Sequence, residues 1–435
     1  MSCFYGRPCL KRIACLLFLA AVATPALAGT LTLEAALATV ESAHPDLLLA
    51  QAERDSALAE QHIANSRRDT NVNLEGILRS GRPTVGSQDF TSDNSVRLSA
   101  RKTLYDFGRS GNAELAAQYE LNAREADLTT ARDNRRLEIM ARYFDVLLAD
   151  MQYAVDNEVM SVYYVSFDQG KDRLEQGRIS SLELAELESH YQDTLVKRNA
   201  SAQRQRITRA LLANAMNRPG ELPVELVDPK LPGNQRALPD YEALLPILLN
   251  NNPRLHAQQD MLAASQKRLS SLRAEKGPTL DAEVQTADYS RSASTRDSLS
   301  AGLILSWPLY QGERADSRIA REIAQYNKLQ AGTDKLKMEL TQALLEACLD
   351  IDQLQNTARG ATQQYTEYRD LQLERSRGLY ELELKSNLGT AMAGTAEANM
   401  RIRNIEYQLA LSFARLEALL GRPLNESEII KGNGK

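Results

Sequence analysis

Leu104-Tyr105-Asp106-Phe107-Gly108 opens a run of chain with no proline before Pro219, and Trp307-Pro308-Leu309-Tyr310-Gln311-Gly312 opens a second run with none before Pro423. Proline removes a backbone donor and clashes with the preceding turn, so chain free of it can hold very long helices. Within the first run Leu137, Met140, Phe144, Leu147 and Met151 keep a 3-4 spacing, as do Leu340, Leu344, Ala347, Ile351 and Leu354 in the second. This is coiled-coil patterning. It returns in Ile402, Ile405, Leu409, Ser412, Leu416 and Leu419, so each run predicts two helices. A helix from Arg109 to about Gln176 is on the order of 100 Å long at 1.5 Å per residue, and a partner from Ser181 to Asn217 about half that. Each run therefore predicts an antiparallel hairpin, turning at Gly177 in the first and at Lys385-Ser386-Asn387 in the second.

The two runs belong to a duplication. Leu33-Glu34-Ala35-Ala36-Leu37 with Pro45 recurs 208 residues later as Tyr241-Glu242-Ala243-Leu244-Leu245 with Pro253. Leu104-Tyr105 recurs as Leu309-Tyr310 at an offset of 205, and Gly108 and Arg218-Pro219 recur as Gly312 and Arg422-Pro423 at 204. Repetition at a near-constant period divides the chain into a first repeat (29–218), a second (240–423) and a tail (424–435). Between the repeats, Pro219, Pro223, Pro229, Pro232 and Pro239 predict an extended linker over 219–239.

Ahead of each hairpin lie two short alternating segments, about 71–79 and 95–104, then about 279–288 and 299–308. Val72, Leu74, Gly76 and Leu78 keep a period of two, as do Val96, Leu98 and Ala100; Leu280, Ala282 and Val284 alternate with Asp281, Glu283 and Gln285. Leu299, Ala301, Leu303, Leu305 and Trp307 make the fourth segment. Period-two alternation over this length is what a membrane-barrel strand shows, one face to lipid and one to water. Soluble hairpins capping a coiled coil show it too.

The N-terminus sorts these readings by compartment. Arg7, Lys11 and Arg12 precede an apolar run from Ile13 to Val22 and a small-residue site at Ala26-Leu27-Ala28, the three-part pattern of a cleavable secretory signal over residues 1–28. Cys3, Cys9 and Cys15 leave with it, so the mature chain keeps Cys348, a mid-helix packing residue, and forms no internal disulfide. Removing three basic residues from 52, against 57 acidic, takes the formal charge from −5 to −8, which argues against a nucleic-acid partner. No later stretch is apolar for about 18 residues, so a crossing of the membrane requires a closed barrel.

The repeated order of helix, strand, strand, long helix and shorter helix, with the Leu-Tyr-Asp-Phe-Gly and Trp-Pro-Leu-Tyr-Gln-Gly openings, resembles TolC and the wider outer-membrane factor family over nearly all of the mature chain. The resemblance implies a mainly α fold with a membrane β-barrel part: a homotrimer whose protomers each give four strands to one 12-stranded barrel, continued by a periplasmic α-helical barrel. It implies the exit duct of a tripartite efflux or type I secretion system in the outer membrane of a Gram-negative bacterium. Outer-membrane lipid, a periplasmic adaptor and an inner-membrane pump are the partners it implies. The hairpin turns would close the entrance and meet the adaptor. The matching residues are Arg173, Gly177, Arg178, Ile179, Ser180 and Ser181, with Leu384, Lys385, Ser386 and Asn387 in the second repeat. Family members carry acids just past a tip. Here Glu183 and Glu186 stand in the first repeat but Gly389 and Met392 in the second, so these acids read either as an entrance ring or as a solvated helix face. Tyr105, Trp307 and Tyr310, with Gly108 and Gly312, mark the barrel base, as an interfacial aromatic belt or as simple packing.

Nothing in the chain points to catalysis or to a cofactor. The four histidines, His44, His62, His190 and His256, lack metal-ligand spacing, and there is no phosphate loop or nucleophile elbow. Two other readings stay open: a periplasmic adaptor, which predicts one hairpin inside a small β domain, and a structural coiled-coil protein without a channel.

Overall fold

The computed structural model describes residues 30–82, 89–223, 225–291, 296–382 and 387–424. The signal segment, Leu384, Lys385, Ser386 and most of the tail lie outside them. In chain order the elements are α1 (Leu33–Leu37), α2 (Pro45–Ser66), β1 (Asn71–Ile77), β2 (Ser80–Gly81), β3 (Thr91–Ser92), β4 (Ser95–Tyr105), α3 (Arg109–Glu175) and α4 (Ser181–Ala215). The order then resumes with α5 (Tyr241–Asn251), α6 (Pro253–Ala274), β5 (Thr279–Tyr289), β6 (Leu299–Ser306), α7 (Arg314–Asp352), α8 (Arg359–Glu381) and α9 (Leu388–Leu420). A π-helical turn over Gln353–Ala358 joins α7 to α8.

Local chemistry explains where the helices start. Pro45 and Pro253 occupy the first turns of α2 and α6, where a missing N–H costs nothing. His44 and Asn252 cap them, accepting from the backbone N–H of Asp46 and Leu255. Asp106, almost buried, accepts from the N–H of Gly108 and Ser110 (3.2 and 2.7 Å) and so caps the start of α3. Burial raises the Asp106 pKa, but these bonds outweigh it and the net shift is downward.

The 67-residue α3 is the spine. α2 runs antiparallel along its first half, with Gln61 meeting Gln118 and Glu53 meeting Arg124 (3.2 Å), and just ahead of α2 Glu41 meets Arg132 (3.4 Å). α4 runs antiparallel along its second half, with Arg209 paired to both carboxylate oxygens of Asp150 (2.7 and 2.8 Å) and Tyr191 against Tyr164. On the other flank, Arg268 of α6 reaches Glu120 at 2.7 Å and Tyr407 of α9 stacks on Phe144 at 4.6 Å. α7 packs on α6 and α9, and α8 on α9.

The result is a wall one helix thick, in the order α2, α3, α6, α7 near the strands and α4, α3, α9, α8 beyond. The strands keep the same order. β1, β4, β5 and β6 form one antiparallel sheet in the sequence β1-β4-β5-β6, each strand continuing the helix beside it in the chain. β2 and β3 form a small separate ribbon beyond β1 and β4.

A single layer has little interior, so the apolar core collects in a belt at mid-length. There α1, α5 and the linker lie across the helices. One cluster gathers Ile139, Tyr143, Phe144, Leu212 and Tyr407, and a second gathers Leu244, Leu248, Leu344, Cys348 and Phe413. The Tyr143 hydroxyl sits between the carbonyls of Leu31 and Val227 (2.8 and 2.6 Å), tying the N-terminal segment and the linker to the spine. Burial pushes its phenol up to about 12.

Candidate functional site: a two-faced sheet and a hairpin tip

The register separates the sheet into two unlike faces. One cross-strand row reads Leu74, Leu98, Thr286 and Leu299; the next reads Val72, Ala100, Val284 and Ala301; a third carries Lys102, Ala282 and Leu303. The intervening rows read Asn73, Ser99, Gln285 and Ser300, then Asn71, Arg101, Glu283 and Gly302, then Thr103, Asp281 and Ile304. One face is therefore mainly aliphatic, with Lys102 and Asp288 toward its two ends, and the other is mainly polar and charged. Arg101 donates to Glu283 on the polar face at 2.7 Å.

The apolar face has no cover among the described residues: Leu74, Leu299, Leu303 and Leu305 are each about two-thirds to three-quarters exposed (72, 69, 67 and 69 %). Leaving that much aliphatic area in water is costly, at roughly 25 cal/mol per Å². The outer edges of β1 and β6 also have no strand partner among the described residues. Rows of unpaired backbone donors and acceptors on a flat apolar sheet demand a partner.

At the helix end of the sheet a bulge between Thr103 and Tyr105 shifts the register by one residue. The shift places Tyr105 opposite Leu280 and hence on the apolar side with Leu305, which alternation alone would forbid. Tyr105 packs edge-on against Phe107, their centroids 4.8 Å apart. Tyr105, Trp307 and Tyr310 are all exposed (57, 60 and 89 %), so none is buried among the described residues. Gly108 (φ +85°) and Gly312 (φ +64°) take the left-handed backbone that turns each strand into its long helix.

At the far end of the spine α3 closes on a glycine cap. Gly177 has φ +68°; its N–H donates to Leu174 O and that of Arg178 to Arg173 O, both at 2.8 Å. Ser180 then opens α4 through a reciprocal box: its hydroxyl accepts from Glu183 N (3.2 Å), and Glu183 Oε2 accepts from Ser180 N (2.7 Å). These bonds from the Ser180 backbone and side chain hold the Glu183 carboxyl below its ordinary value. Glu186 stays exposed, 3.9 Å from His190. Arg173, Gly177, Arg178, Ile179, Ser180, Ser181, Glu183 and Glu186 are thus brought to one turn, and Ile179 reaches toward Gly170, where the two helices cross closely. Asn387 precedes α9 in the second repeat.

Among the described residues no group of His, Cys, Asp and Glu side chains is placed to hold a metal ion, and no helix is long and apolar enough to cross a membrane.

Residues 244–422 match the family model of the outer membrane efflux protein. No curated protein matches the chain by sequence. Solved structures share its fold at low identity, among them these three. A membrane protein from Pseudomonas aeruginosa superposes with a TM-score of 0.74 at 16 % identity, covering 92 % of both chains. The outer membrane protein VceC from Vibrio cholerae gives 0.72 at 15 %, covering 90 % of this chain and 97 % of its own. The Campylobacter jejuni CmeC outer membrane channel gives 0.72 at 13 %, covering 92 % and 88 %. The second repeat thus matches the outer membrane efflux protein family, and over nine-tenths of its length the chain shares the fold of these solved outer-membrane proteins.

Proposed function

We propose that this protein is the passive exit duct of an efflux or secretion assembly in the outer membrane of a Gram-negative bacterium. The observation that carries the reading is the one-layer wall with an uncovered aliphatic sheet face and two unpaired strand edges. Three copies joined edge to edge, β1 of one to β6 of the next, make a closed barrel of twelve strands, with aliphatic rows toward lipid and charged rows toward water. The helical wall continues that barrel into the periplasm as a hollow tube. Its repeats are residues 29–218 and 240–423, joined by the linker 219–239, after removal of a signal segment over 1–28.

Tyr105, Trp307 and Tyr310 lie where an aromatic belt meets the inner membrane surface. Arg173, Gly177, Arg178, Ile179, Ser180 and Ser181, with Leu384, Lys385, Ser386 and Asn387, form the tip that meets a periplasmic adaptor and, through it, an inner-membrane pump. Of the two entrance acids, Glu186, beside His190, is the one available to face the pore, because the carboxylate of Glu183 is engaged at its own helix start. No step of catalysis is assigned to any residue, and energy for export comes from the pump. The test is conduction: protein extracted from outer membranes and added to a planar lipid bilayer gives discrete ion-conducting steps. A preparation that inserts but leaves the bilayer silent contradicts the reading.

A further inference from the structure

At the end of the sheet away from the helices, one carboxylate stands at the centre of the bonds that join two loops. Asp93, 4 % exposed, belongs to the chain connecting β1 to β4. Its Oδ2 accepts from Arg79 Nε at 2.7 Å and faces Arg291 Nη2 at 3.4 Å, and its Oδ1 accepts from Arg296 Nη1 at 2.9 Å. Arg79 lies in the same connection, whereas Arg291 and Arg296 lie in the one between β5 and β6. Around this centre Ser290 N donates to Asn94 O at 2.9 Å, Asn94 N donates to Ser290 Oγ at 2.8 Å, and Arg291 donates to Thr91 Oγ1 at 3.3 Å. The Arg296 guanidinium lies over the Tyr289 ring, 4.9 Å from its centroid. Tyr289 stands opposite Ser95 in the charged rows, so the cluster sits toward the wet face.

A carboxylate has about four lone-pair sites, enough for several charge-assisted bonds at once. Asp93 is also a carboxylate shared by three guanidinium groups drawn from both loops. Neutralising it turns an attachment between the loops into a repulsion. The hydrogen bonds from Arg296 and Arg79 hold the Asp93 carboxyl at about 2, so ordinary acidity leaves the anion in place.

We propose that Asp93 is a latch that makes the two outer loops of each protomer move as one body over the wet face, at the outer mouth of the duct. This rests on the channel reading for its location. The joint it fixes is the seam between the two repeats, where β4 meets β5.

Proteolysis of native protein follows the population of opened loops. In the purified Asp93→Asn protein, proteinase K cuts residues 79–94 and 290–298 about tenfold faster than in the wild type. Arg296→Gln, which removes one donor from across the seam, gives a smaller increase. Ser92 and Ser290 bring their hydroxyl oxygens to 3.5 Å, so a Ser92→Cys, Ser290→Cys pair oxidised to a disulfide restores wild-type resistance to Asp93→Asn, and dithiothreitol removes it again. Equal cutting rates in wild type and Asp93→Asn, or a disulfide that restores nothing, overturns the latch alone. Intact cells separate the other failure: if the loops are cut only after the outer membrane is opened, the channel topology falls and the outer-mouth latch with it.

Discussion

Leu303 and Ile304 are neighbours of similar size and hydrophobicity with opposite surroundings. Leu303 stands in the row with Ala282 and Lys102, on the aliphatic face, while Ile304 stands opposite Asp281 in a charged row. An arginine at mid-bilayer on the lipid side costs about 2 to 4 kcal/mol, and one on the wet side little. Leu303→Arg is therefore expected to reduce the trimer recovered from outer membranes severely, with Ile304→Arg close to wild type in the same extraction. Equal yields would remove the basis for assigning the faces. Alternation made these positions legible in the sequence, because side chains on a strand change face at every residue. Tyr105 was legible as a landmark but not as to its face, since one bulged residue reverses parity and no sequence signal announces it. The Asp93 cluster was hidden for another reason: Arg79, Arg291 and Arg296 come together only through the β4–β5 seam, across about two hundred residues of chain.

At the scale of elements, the α3–α4 turn is built from a glycine cap followed by a capping box, and both are local codes. Adding a Cβ at Gly177 meets no neighbour within 4 Å, so the obstacle to substitution is its φ of +68° alone. A β-branched residue in that conformation costs of order 1–3 kcal/mol, confined to the turn. Gly177→Val is expected to leave trimer yield unchanged and to lose co-purification with the adaptor, with export failing in the same cells. Normal export, or loss of the protein before it reaches the membrane, would show that this turn is not the docking tip. The long helices were legible because proline is missing and apolar spacing is continuous. The π turn at Gln353–Ala358 was not: Gln355 donates there to the carbonyls of Asn234 and Arg236 (3.2 and 2.9 Å), so the linker fixes the helix irregularity from outside. Nor did periodicity fix the order of helices across the wall, which long-range pairs such as Glu120 with Arg268 and Phe144 with Tyr407 decide.

The whole molecule is a strip rather than a ball. Its helices share narrow seams, its buried core is one belt, and the sheet at its end exposes an aliphatic face and two open edges. The composition follows from that shape: with 6 % aromatic residues and 25 % charged, the chain suits a wall wetted on both sides better than a large globular interior. The proposed trimer supplies what a lone strip lacks. The edges bounded by α2 and β1, and by α7 and β6, lie on opposite sides of the strip, which suits the head-to-tail ring of the proposed duct. Four strands per chain and closure by three copies account for the uncovered face, the open edges and the lack of a membrane-spanning helix among the described residues together. Native mass spectrometry of the protein extracted in detergent from isolated outer membranes tests this most directly. The account predicts one species of three mature chains, recovered from that membrane fraction. A single chain recovered from the soluble periplasmic fraction would contradict it.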